Sequence, residues 1–122
     1  MGDRASIYVI SESLPTNVMV ELYGHWAGTT NARAVASVLE KTDRLGDVSY
    51  LTAQVFYEFA IIKGDYTGYL GYGINVVPTL AGSSWNDNPD IILNADNGSV
   101  IYDGTTYTKE QFIQLVETLQ LD

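Results

Sequence analysis

Short strand-like segments joined by tight-turn residues most constrain the fold of this chain. Segments rich in β-branched and aromatic residues predict strands at 5–10, 18–23, 72–77, 90–95, 99–103 and 105–108. Asp96-Asn97-Gly98 is typical of a hairpin turn, Asp103-Gly104 predicts a second turn, and the proline-containing segment 11–17 predicts a third. Strands that pair with their neighbours in sequence favour an antiparallel sheet.

Three segments, 29–43, 48–63 and 109–120, have the apolar periodicity of amphipathic helices. Thr29, Thr30 or Asn31 can cap the first, Asp47 can cap the second, and Thr108 with Gln111 forms a capping box on the third. The 122 residues are therefore expected to form a single α+β domain over 1–122. The expected architecture is a mainly antiparallel sheet with helices packed on one face, in the order ββααββββα.

Composition excludes several kinds of site. The absence of cysteine excludes disulfides, thiolate zinc sites, iron–sulfur clusters and cysteine nucleophiles. One histidine among scattered acids has no recognised metal-ligand spacing. The oxygen-rich segment 86–90 lacks the glycine-and-glutamate frame of an EF-hand, which favours a solvated loop. We therefore expect no metal and no cofactor.

Charge constrains the partners. Fifteen acidic residues against six basic ones give a net charge of −9, which disfavours nucleic acid and anionic membranes and would attract a basic protein. No apolar run approaches the roughly 20 residues of a membrane span, and the N-terminus lacks the blocks of a signal peptide. A cytoplasmic protein is expected, with a homodimer as the expected form if the chain associates.

The segment ELYGHWAGTT, 21–30, contains the only histidine and leads into the first predicted helix. The start of that helix offers backbone N–H groups and hydroxyls to an anion, and arginines in the first turn and on the first strand could reach it. The candidate ligand-binding residues are Arg4, His25, Trp26, Thr29, Thr30, Arg33, Tyr69 and Tyr72. The alternative is an ordinary capped helix, with Arg33 solvated and Arg4 paired with an acid.

Several short motifs occur in a characteristic order. They are Gly2-Asp3-Arg4-Ala5, Tyr23-x-His25-Trp26, Asp47 before Tyr50-Leu51, and Gly71-Tyr72-Gly73-Ile74. In these motifs the chain resembles a set of small uncharacterised proteins from actinobacteria and their phages. It departs from that set at Leu70, where threonine is usual, and before Asp47, where a tryptophan is missing. The resemblance implies a prokaryotic or phage-type cytoplasmic protein, in the host cell if phage-encoded, and no particular activity.

No catalytic signature accompanies His25. The sequence contains no nucleophile-elbow serine, no P-loop and no dinucleotide-binding fingerprint. The leading hypothesis is a non-enzymatic protein that binds a small polar or nucleotide-like ligand, in a phage setting a counter-defence factor that sequesters a signalling nucleotide. Two alternatives remain open: an acidic inhibitor or adaptor that docks on a basic protein, and an enzyme that uses His25.

Overall fold

The structure is a computed structural model that describes residues 3–25, 27–62, 71–78 and 86–119. In chain order its elements are β1 (Ala5–Ile10), β2 (Val18–Gly24), α1 (Thr30–Lys41), α2 (Val48–Phe56), a π-helix (Tyr57–Ile62), β3 (Tyr72–Pro78), β4 (Ile91–Asn94), β5 (Val100–Tyr102), β6 (Thr105–Tyr107) and α3 (Lys109–Thr118). This content confirms the α+β class. The order differs from the predicted one by the π-helix, which directly continues α2.

The six strands form one sheet in the order β3-β2-β1-β4-β5-β6. The prediction of a mainly antiparallel sheet is wrong, because the sheet is mixed: β1 pairs with β4 in parallel. Turn residues reveal only hairpins between strands adjacent in sequence, whereas β4 returns beside β1 after a long crossover. Similarly, β3 pairs with β2 rather than with the strand that follows it.

Several local features predicted from sequence are confirmed. β1 pairs with β2, β4 with β5, and β5 with β6, each antiparallel. The Asp47 side chain caps α2 by accepting a hydrogen bond from the backbone of Tyr50. Thr108 and Gln111 form the reciprocal capping box of α3. These features depend on residues a few positions apart, so the sequence specifies them directly.

The core lies between the helices and one face of the sheet. Ile7 and Val9 of β1 are fully buried there with Leu22 of β2, together with Leu39 of α1 and Phe59 of the π-helix. Side chains alternate between the two faces of a strand, so the residues between these point to the opposite face. We call that opposite side the open face, because no described helix packs on it.

Candidate functional site

The structure separates the two arginines that were expected to share a pocket. Arg4 directly precedes β1, and the alternation of the strand places it on the same face as Ser6 and Tyr8, the open face. Burial raises the pKa of the Tyr23 hydroxyl on that face, and the positive charge of Arg4 is near enough to lower it in part. Arg33 lies on α1, on the helix side, where its Nε is buried and has no hydrogen-bond partner. The two arginines therefore lie on different elements, with Arg4 directly before β1 and Arg33 on α1.

Arg4 is engaged by an acid. Its Nε lies 3.2 Å from Oδ2 of Asp87, and its backbone N–H donates to the same oxygen at 2.9 Å. These hydrogen bonds hold the pKa of Asp87 below its usual value and raise the pKa of Arg4. Both side chains are more than one-third exposed, so solvent screens the pair. The alternative interpretation of Arg4, pairing with an acid, matches this geometry.

The start of α1 makes bonds within the protein. The Thr30 hydroxyl donates to the carbonyl of Ala27 at 2.6 Å, and the side-chain oxygen of Asn31 accepts from the N–H of Ala32 at 2.8 Å. Gly28 has φ of +60°, and a Cβ placed on it would lie 3.0 Å from a carboxylate oxygen of Asp3. The carboxylate of Asp3 thus lies beside the start of α1, and its negative charge makes the helix start less attractive to an anion.

The other predicted residues are distributed around the molecule. Thr29 is the N-cap of α1, although its side chain makes no capping hydrogen bond. Tyr72 of β3 packs edge-on against Phe59, with ring centroids 5.4 Å apart, on the helix side. Trp26 and Tyr69 lie outside the described residues.

His25 lies at the end of β2, and its Nδ1 is 3.0 Å from the hydroxyl of Tyr23. Burial raises the pKa of Tyr23, so this hydroxyl stays protonated at neutral pH. The contact fixes the orientation of the imidazole ring relative to the Tyr23 hydroxyl. His25 contributes a hydrogen-bonding ring to the end of the open face.

Polar and aromatic side chains gather on the open face around β1 and β2. We call this group the open-face cluster: Ser6, Tyr8, Glu21, Tyr23, His25, Asn75, Asn86 and Asp90. The strand register brings them together, since Tyr8 is directly opposite Glu21, Ser6 is opposite Tyr23, and Glu21 is opposite Asn75. Three strands thus contribute to one surface.

Glu21 is the centre of the open-face cluster. Its two carboxylate oxygens accept hydrogen bonds from the Ser6 hydroxyl at 2.7 Å and from the side-chain amide of Asn75 at 3.2 Å. Ser6 is fully buried and accepts from the side-chain amide of Asn86 at 3.0 Å, and Asn86 also donates to Asp90 at 2.8 Å. Each oxygen of a carboxylate can accept a second hydrogen bond, so Glu21 retains acceptor capacity for a ligand.

Tyr8 lies between the two acids of the open-face cluster. Burial raises the pKa of Tyr8 to about 12, and the negative charges of Glu21 and Asp90 add to the effect. The Tyr8 hydroxyl therefore stays protonated at physiological pH, and it is hydrogen-bonded to Glu21 and Ser6. The cluster combines acidic acceptors with phenolic donors and aromatic faces, which suits recognition of a ligand that carries N–H groups on a planar ring.

No sequence motif marks Ser6, Tyr8 or Glu21 as site residues. The signal that could have found them is the alternation within 5–10 and 18–23, which places these polar residues between core residues and on one face. Asn86 and Asp90 were recognised only as part of an oxygen-rich loop. Among the described residues, no group of three or more histidine, aspartate or glutamate side chains could hold a metal ion.

Comparison with protein-family models, with curated proteins and with solved structures finds no match to this chain. Within the described ranges we also find no helix with the length and hydropathy for a bilayer crossing.

Proposed function

We propose that the protein is a non-enzymatic binding protein whose open-face cluster holds a small polar, nucleotide-like ligand. The observation that carries the proposal is the position of Glu21, a carboxylate bound by Ser6 and Asn75 and set directly beside Tyr8. Such a carboxylate would accept N–H groups from the edge of a base, and the phenol rings would contact its face.

The charge of the cluster predicts which part of a nucleotide is recognised. Glu21 and Asp90 are acidic, whereas the nearby cation, Arg4, is bound to Asp87. A phosphate would meet like charge here, so the base supplies the favourable contacts. We expect nucleosides and cyclic or single-phosphate forms to bind more tightly than triphosphates. In the phage setting that the sequence motifs imply, such binding would sequester a signalling nucleotide in the host cytoplasm.

Isothermal titration calorimetry against a panel of nucleosides, cyclic nucleotides and linear nucleotides tests the proposal. The variant Glu21→Gln removes the acceptor charge, and Glu40→Gln is the matched control on an exposed position of α1. A hydrogen bond to a charged group is worth about 1.5 to 3 kcal/mol, so Glu21→Gln should weaken binding about 10- to 100-fold. Absence of heat with every compound, or equal weakening by both variants, would refute the proposal.

A second candidate function is that of an acidic inhibitor or adaptor for a basic protein, and the net charge of −9 is the observation that favours it. A pull-down from host lysate at low and high salt separates the two. Capture of one basic protein that is lost at high salt supports the adaptor function. Calorimetric binding of a nucleoside or nucleotide supports the ligand-binding function.

A further inference from the structure

Among the strands that the structure describes, β3 and β6 form the two edges of the sheet, and they differ in length and in what packs beside them. β6 has three residues and is followed directly by α3, which packs beside it. β3 has seven residues, YGINVVP, none of them charged. Natural proteins protect edge strands with charges, short length or covering elements, and a long uncharged edge strand is a template for pairing with another strand.

The register of β3 identifies which backbone groups face away from the sheet. The N–H of His25 donates to the carbonyl of Gly71 at 2.8 Å, across directly opposite positions of the β2–β3 pairing. Bonded and non-bonded pairs alternate in an antiparallel ladder, so the N–H and C=O groups of Ile74 and Val76 point outward. Pro78 also falls at an outward position, where its missing N–H costs the sheet no hydrogen bond.

The side chains of Ile74 and Val76 are exposed as well. Ile74 is 57% exposed and Val76 is 73% exposed, although both lie on the helix side of the sheet. Ile74 also lines an apolar groove with Tyr57 and Ile61, which are 53% and 41% exposed. The outer edge of β3 therefore combines two outward-facing backbone positions with contiguous apolar surface.

We propose that the outer edge of β3 pairs antiparallel with β3 of a second copy of this chain, about a two-fold axis at Asn75. This arrangement places Ile74 opposite Val76 of the partner subunit, and the symmetry repeats the contact. The outward N–H and C=O groups at both positions then form four hydrogen bonds between the subunits. The edge is self-complementary, as a two-fold interface requires.

Charge favours a second copy over a charged peptide as the occupant. β3 has no charged residue, and the carboxylate directly beside it in the sheet, Glu21, accepts hydrogen bonds from Asn75 and Ser6. β3 itself thus provides no acidic group that would select a basic strand. Two chains of net charge −9 repel one another, and a neutral strand is a region through which they can approach with less repulsion.

The proposed interface is small. One strand with its flanking side chains falls in the class of interfaces below about 1,200 Å² in total, which form weak complexes. We therefore expect a dissociation constant on the order of 10 µM. Because salt screens the repulsion between the two acidic chains, the dimer should strengthen as salt is raised.

Sedimentation equilibrium from about 1 to 500 µM, a range that brackets this dissociation constant, measures the association. Val76→Pro removes an outward N–H that bonds to the partner strand in the proposed dimer, and Ile74→Lys places a charge at the interface. Thr106→Lys puts the same charge on exposed β6 as the matched control. We expect wild type and Thr106→Lys to dimerise alike and the β3 variants to be weaker by at least about tenfold.

A monomer at every concentration would overturn the proposal, as would a dimer unaffected by the β3 variants or weakened by salt. Circular dichroism checks that each variant folds. Amide exchange on the wild-type chain provides a test without mutation. The outward N–H groups of Ile74 and Val76 should gain protection as concentration rises, while those of Gly73 and Asn75 should not change. Equal behaviour of the two sets would also overturn the proposal.

Discussion

Replacing Asn31 by alanine should strongly destabilise the protein, because this side chain ties the start of α1 to the sheet. Asn31 is only 2% exposed. Its amide nitrogen donates to the carbonyl of Ser6 at 3.3 Å and to the carbonyl of Pro89 at 3.1 Å. Its amide oxygen accepts from the backbone N–H of Ala32. One side chain thus joins α1 to β1 and to the segment that precedes β4.

Asn31→Ala leaves three backbone groups without this partner. A buried polar group that loses its hydrogen bond costs about 1 to 3 kcal/mol, and carbonyls with a second acceptor site lie at the low end of that range. The expected loss in the free energy of unfolding is therefore about 3 kcal/mol. For a chain of this size, that loss lowers Tm by roughly 10 °C.

Urea denaturation followed by circular dichroism measures the change. Asn97→Ala is the matched control, since Asn97 is exposed and its side chain accepts one hydrogen bond, from the backbone of Ser99. The control should cost less than about 1 kcal/mol. A loss for Asn31→Ala no larger than that of the control would refute the view that the helix start is an internal anchor.

Three further predictions use the same folded protein. Gly28→Ala should cost more than Gly46→Ala in urea denaturation: both glycines have positive φ, but a Cβ meets an oxygen at 3.0 Å only at Gly28. In a spectrophotometric titration, Tyr8→Phe should remove the tyrosine that ionises at about pH 12; the stability tied to its raised pKa is present below pH 10 and lost as pH rises towards 12. The backbone N–H of Glu12 lowers the pKa of Asp96, so the ionised carboxylate stabilises the fold above about pH 4. This stabilisation is lost as pH falls through the lowered pKa. Asp96→Asn should therefore make the free energy of unfolding less dependent on pH in acid.

The parts of the fold that sequence predicted well depend on near neighbours. The cap at Asp47 and the turn at Asn97-Gly98 involve residues within a few positions of their partners. The pairing of β1 with β4 joins Ile7 to Ile91, and no turn residue marks a contact over that distance. The sequence therefore predicted a mainly antiparallel sheet, whereas the sheet in the structure is mixed.

In the candidate site, too, features set by near neighbours could be predicted from sequence, whereas contacts between distant residues could not. His25 was correctly located at the end of a strand, and the sequence raised the pairing of Arg4 with an acid as an alternative. It could not show that Asp87 is that acid, because the two residues are 83 positions apart. Ser6 and Glu21 were within reach of prediction, since strand alternation and a hairpin place them on one face. Their hydrogen bond depends on the register of the hairpin.

The most direct test of the central claim is to record amide chemical shifts of the labelled protein while the best-binding nucleoside is added. The open-face cluster predicts shifts at Ser6, Tyr8 and Glu21 that saturate together, with residues 28–33 unchanged. Shifts confined to 28–33, or no shifts at any position, would contradict the assignment of the ligand site to the open face.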